Sequence, residues 1–212
     1  MLQTSERRRR TDLKGRCLAR AVLTAAGLSL AAPLLAHEDN STQGGFFAGL
    51  MHPVLGLDHL LAMVAVGIWG AVLGRPLLYL LPVIFPAVMT LGAVVGMGDF
   101  PIGFAELAIG FSVLCLGALI AFRVSLPIWA ASLVVGTFAL FHGYAHGREL
   151  PLAVDPVAYS AGFVVATGVL HLTGVGLGWV AARGRNERLT LGLAGGSIAA
   201  AGAIFVYRTL SG

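Results

Sequence analysis

The chain has 212 residues, of which 57% are hydrophobic and only 11% charged, where a soluble domain carries about 25% charged residues. So few charges cannot clothe a soluble fold of this size, and Pro76 to Gly98 contains none at all. The composition excludes an ordinary soluble enzyme and implies an integral membrane protein. Of the 14 Lys and Arg, seven lie between Arg7 and Arg20 and most of the others sit singly in connections between apolar runs. That pattern sets membrane orientation and excludes a nucleic-acid partner.

Residues 1–36 read as a signal peptide. Arg7 to Arg10, Lys14, Arg16 and Arg20 form a basic region, Ala21 to Leu35 an apolar core, and Ala36 precedes the polar stretch His37-Glu38-Asp39. The apolar core is shorter than the roughly 20 residues of a spanning helix. Residues 37–212 then read as one transport domain. Six apolar stretches follow, about 46–73, 76–97, 101–122, 126–147, 156–182 and 189–208, each long enough for a hydrocarbon core of about 30 Å. The expected fold is all-α, a polytopic membrane bundle of six transmembrane helices after signal removal. Asp155-Pro156 supplies a cap followed by a first-position proline for the fifth stretch.

Removal of the leader would leave the amino terminus outside the cytoplasmic membrane. Alternation then puts Arg75, Arg123 and Arg183 to Arg188 inside, with five Arg against the two at Arg148 and Arg208 outside, in accord with the positive-inside rule. Glycine is abundant, at 29 residues, and pairs spaced by four recur at Gly92 and Gly96, Gly143 and Gly147, Gly174 and Gly178, and Gly192 and Gly196. They imply close helix packing.

Polar groups inside apolar runs carry the functional signal. In His52-Pro53-Val54-Leu55-Gly56-Leu57-Asp58-His59, a helix would put His52 and His59 on one face. Pro53 and Gly56 are expected to break the entry to that span, exposing backbone groups that need partners. His142 and His146 in Phe141-His142-Gly143-Tyr144-Ala145-His146-Gly147-Arg148-Glu149 are four apart on one face, with Glu149 three further on. An Asp or a His pair within a bilayer is costly and points to an ion or proton path. Nitrogen and oxygen donors of this kind suit Ni²⁺, Co²⁺ or Zn²⁺ alike. Both groups fall in the outward half of their spans.

Accessory residues have two readings each. His171 is a buried helix-packing residue or a later ligand on the path. Glu106 and Asp99 attract a cation, or serve in capping and snorkelling. His37 assists capture, or belongs to a solvated tail. No nucleotide loop, nucleophile elbow or fixed-cofactor motif is present in the sequence, so the chain reads as a non-enzyme.

His52-Pro-Val-Leu-Gly-Leu-Asp-His-Leu-Leu-Ala-Met63 closely resembles the first signature of the HupE/UreJ family, and Phe141 to Leu150, FHGYAHGREL, resembles its later histidine signature. The resemblance implies a secondary permease importing Ni²⁺ for hydrogenase or urease maturation, with Co²⁺ associated with some members. It carries His52, Asp58, His59, His142, His146 and Glu149 over as the motif residues. The leader resembles the HupE type, which favours hydrogenase supply. The implied location is the bacterial inner membrane, with a divalent cation, the lipid bilayer and cytoplasmic nickel chaperones as partners. A cobalt or zinc transporter, and a membrane metal-binding accessory protein, are the competing functions.

Overall fold

A computed structural model describes residues 42–98, 100–149 and 155–211. The expected signal peptide, His37 and Asp99 lie outside the described residues. Seven helices account for most of what is described: α1 Thr42–Leu55, α2 Leu57–Leu73, α3 Leu77–Gly96, α4 Ala105–Ala121, α5 Ile128–Arg148, α6 Pro156–Arg183 and α7 Glu187–Ser211.

The expectation of six transmembrane helices is corrected here. Four helices, α3, α5, α6 and α7, are long and apolar enough to cross a membrane, and α1 with α2 makes a fifth only if that bent pair is one span. Two physical causes separate this from the hydropathy reading. The first stretch breaks by 78° between α1 and α2. Pro53 lies inside α1 and has no amide hydrogen to donate, while Gly56 adopts extended backbone, φ −80° and ψ 103°. The third stretch yields a helix of only 17 residues, about 25 Å at 1.5 Å per residue. Its first residues are diverted into a turn, where the Tyr144 hydroxyl donates to the Phe100 carbonyl (2.9 Å) and accepts from the Ile102 amide (2.7 Å).

The fifth stretch starts as its sequence dictates. Asp155 caps α6, its carboxylate accepting from the Val157 and Ala158 amides at 2.8 and 3.1 Å, and Pro156 follows at the first helical position. At the opposite end of the bundle, Arg123 pairs with Glu187 at 3.0 Å. The Trp69 indole donates to the Val124 carbonyl at 3.1 Å, tying the end of α2 to the same connection.

Helices pack chiefly as α3 on α5, α4 on α7, and α6 on both α1 and α2. The contact between α3 and α5 is a reciprocal glycine lock. A Cβ at Gly92 or Gly96 would collide with the carbonyl of Leu140 or Tyr144, and one at Gly143 or Gly147 with the carbonyl of Met89 or Ala93. Removing the side chains lets the two backbones meet directly. Gly192 and Gly196 differ, because a Cβ there meets nothing within 4 Å.

The outside of the bundle is apolar, with Leu55, Val83, Leu91, Trp129, Leu172 and Leu193 among its exposed residues. Its interior holds Met63, Trp69, Leu81, Phe85 and Leu116, but also His59, Ser112, His142, His146, Thr167 and His171. Large hydrophobics facing outward and imidazoles facing inward are the arrangement a bilayer solvent favours.

Gly92→Ala is expected to lower the thermal unfolding midpoint in detergent, in line with an overpacking cost of about 1–3 kcal/mol. Gly192→Ala should leave the midpoint unchanged or raise it, since the added methyl is unopposed. Equal effects of the two substitutions would count against the glycine lock.

Candidate metal centre

Three elements deliver the polar groups to one region. α1 contributes His52 in its last turn, α2 contributes Asp58 and His59 in its first turn, and α5 contributes His142, His146 and, just past its end, Glu149. The break at Gly56 is what lets residues from both sides of it face α5. A straight helix would hold His52 and His59 about 10 Å apart along its axis, whereas here both rings contact His146.

At the exposed edge, the His52 Nε2 lies 3.4 Å from a Glu149 carboxylate oxygen. His52, His146 and Glu149 each offer one donor atom, and the three atoms lie within 4.8 Å of one another. Two nitrogens and an oxygen in that space form a donor set for a borderline divalent cation. One step inward, the His146 ring centroid is 4.9 Å from that of His52 and 4.2 Å from that of His59, and the His59 centroid is 4.7 Å from that of His142. The series runs from a rim where the Glu149 side chain is 52% exposed to His142 at 0%.

Asp58 stands behind His59. Its Oδ1 accepts from the His59 backbone amide and lies 2.8 Å from His59 Nδ1. An ionised carboxylate only accepts, so Nδ1 carries a proton, and in the neutral ring Nε2 keeps its lone pair. That Nε2 is buried with no hydrogen-bond partner, as are both ring nitrogens of His146 and one each of His142 and His171, Nδ1 and Nε2 respectively. Buried polar atoms are usually paired. His59, His142 and His146 stand side by side with nitrogens that no protein atom satisfies, and the acceptor character fixed at His59 Nε2 suits a cation.

The structure thus gathers His52, His59, His142, His146 and Glu149, with Asp58 held against His59. His171 sits deeper on α6: its Nδ1 lies 2.8 Å from the Thr167 carbonyl, and Phe85 stands between it and His142, 5.2 Å from one ring and 5.6 Å from the other. Glu106 is not among the imidazoles. It lines a separate cavity of about 270 Å³ with Pro101, Ile102, Tyr144, Arg148 and Glu149, so Glu149 borders both.

Residues the sequence did not single out complete the surroundings. Phe163 packs against His146 with ring centroids 4.3 Å apart, Tyr159 lies 5.8 Å from His52, and Ser112 bonds His142 at 2.8 Å. Ser112 had a usable signal, being a hydroxyl within the apolar run of α4. Phe85, Tyr159 and Phe163 had none, since aromatics in apolar helices are ordinary packing residues.

A model of the family described as HupE / UreJ protein matches residues 23–205. Protein HupE of Rhizobium leguminosarum bv. viciae is 42% identical over 182 residues, covering 85% of this chain and 95% of the relative. No solved structure matches the chain. The matched region contains both histidine groups and all seven described helices but for the last six residues of α7, and on that extent of agreement the chain belongs to the HupE/UreJ family.

Proposed function

We propose that this chain is a secondary transporter that imports Ni²⁺ across the cytoplasmic membrane for metalloenzyme maturation, with hydrogenase as the destination. Family membership supports metal transport rather than catalysis. The observation that carries the reading is the graded series of imidazoles, from His52 and Glu149 at the rim to His142 inside, with free nitrogens and an apolar exterior around them.

In this reading a hydrated ion meets Glu149 and His52 and exchanges water for imidazole as it engages His146. It then moves toward His59 and His142, with the Asp58 carboxylate offsetting its charge, and His171 serves beyond Phe85. Neighbouring partial donor sets favour passage, because transport needs binding strong enough to admit the ion and weak enough to release it. A potential of about 100 mV, negative inside, contributes about 4.6 kcal/mol toward entry of a doubly charged ion. No fixed cofactor is required; the metal is the cargo. Removal of the leader, 1–36, would leave His37 outside, near the rim's side of the membrane, and chaperones of hydrogenase assembly would receive the ion inside.

Sealed proteoliposomes offered Ni²⁺, Co²⁺, Zn²⁺, Mn²⁺ and Mg²⁺, with and without an imposed potential, test the proposal. Saturable Ni²⁺ uptake that rises with an inside-negative potential is expected, with Mg²⁺ excluded as a hard cation that prefers oxygen donors. Binding without uptake would instead make the chain a metal-binding accessory protein. Asp58→Asn and His59→Ala should each reduce uptake by about tenfold or more at equal membrane abundance. Combining Asp58→Asn with His146→Ala should cost less than the two losses together, as for residues of one network. Full uptake by Asp58→Asn, or strict additivity, would remove these residues from a shared path.

Orientation has its own test. In a background lacking Cys17 and Cys115, a cysteine at Asp155 should react with an impermeant thiol reagent from outside, and one at Arg183 only after the membrane is opened. The reverse pattern would overturn the inward direction of the path.

A further inference from the structure

Ser112, in the middle of α4, is fully buried and makes two short contacts: its Oγ lies 2.7 Å from the Ile109 carbonyl oxygen and 2.8 Å from His142 Nε2. A serine hydroxyl has one hydrogen to donate and lone pairs to accept with. Two oxygens 2.7 Å apart need a hydrogen between them, and the Ile109 carbonyl has none, so the Ser112 hydrogen points at Ile109. The contact to His142 must then run the other way, with Nε2–H donating to Ser112. Neutral imidazole carries one N–H, so Nδ1 of His142 holds the bare lone pair, and Nδ1 is the buried nitrogen without a partner. The opposite tautomer would press two oxygen lone pairs together and bury an N–H with no protein acceptor, at the cost of that group's desolvation.

We propose that Ser112 is a positioning residue that holds His142 in its Nε2–H tautomer and thereby presents the Nδ1 lone pair to the metal path. The inference rests on the transport reading for its purpose, though not for its geometry. It gives the two inner histidines opposite orientations: Asp58, as acceptor, holds the proton of His59 on the δ nitrogen, and Ser112, as acceptor, holds that of His142 on the ε nitrogen. Their rings meet edge to face, 4.7 Å apart and inclined by 85°. One passing ion can therefore address a different nitrogen on each ring. His146, between the rim and this pair, has no hydrogen bond to either nitrogen and can turn either one to the ion. Partners of this second kind commonly set ligand tautomer and basicity, and their loss weakens metal binding about 10–100-fold.

The test uses full-length protein with ¹⁵N-labelled histidine in nanodiscs, with the His142 signals identified by their disappearance in His142→Gln. Ring ¹⁵N spectra of neutral wild-type protein should show His142 protonated at Nε2 alone. Ser112→Ala should mix the tautomers and weaken Ni²⁺ binding, measured by titration, about tenfold. Ser112→Thr, which keeps the hydroxyl, should restore the single tautomer. A wild-type His142 protonated at Nδ1, or a Ser112→Ala protein that keeps pure Nε2–H and full Ni²⁺ affinity, would overturn the assignment. The wild-type spectrum decides the tautomer even if a variant folds poorly. Failure of the transport reading would look different, with the expected tautomer present but His142→Gln leaving Ni²⁺ binding unchanged.

Discussion

Hydrocarbon offers no hydrogen bonds, so every polar group carried into the bundle has to find its partner there. Among the described residues six polar side chains are buried, four of them histidines. Protein atoms satisfy part of their demand: Asp58 serves His59, Ser112 serves His142, and the Thr167 carbonyl serves His171. The remaining nitrogens have no protein partner. If these positions served only helix packing, apolar side chains would fill them at lower cost. In the proposed function, a cation that exchanges water for imidazole is the partner of these nitrogens, and it stays only in passing, as transport requires.

The packing of the helices makes that arrangement geometrically available. α3 and α5 are brought into backbone contact by glycines on both, so α5 is held firmly while it presents His142 and His146. α6 backs both halves of the broken first segment, where Gly49 and Gly67 approach its backbone too closely for a side chain. The bend at Gly56 turns two short helices into a bracket around His146. Among the described residues the donors that come within 4.8 Å of one another are the three of His52, His146 and Glu149, too few to enclose an ion fully, consistent with release.

How much of this could be read from the sequence follows from what hydropathy measures. It counts apolar residues and is silent about where a helix ends. Residues 101–104 therefore looked like part of a span, although Tyr144 draws them into a turn and α4 begins only at Ala105. Pro53 and Gly56 did announce the break, because a missing amide and a missing side chain have local consequences. The residues His52, Asp58, His59, His142, His146 and Glu149 stand out because polar groups are scarce in such runs. Their mutual distances were not legible, since they depend on a 78° bend and on glycine contacts between helices far apart in sequence. Ser112 was visible as a lone hydroxyl, but its bond to a histidine 30 residues away is a tertiary fact. Aromatic neighbours such as Phe85 and Phe163 carried no signal at all.

The central claim is that these imidazoles receive one ion between them. X-ray absorption at the nickel edge of the purified, Ni²⁺-loaded protein tests it most directly, because imidazole rings leave a characteristic outer-shell scattering pattern. The account predicts nitrogen and oxygen ligands without sulfur, more than one imidazole per nickel, and a lower imidazole count in His146→Ala. A fully hydrated ion, a sulfur ligand, or a spectrum unchanged by His146→Ala would contradict it.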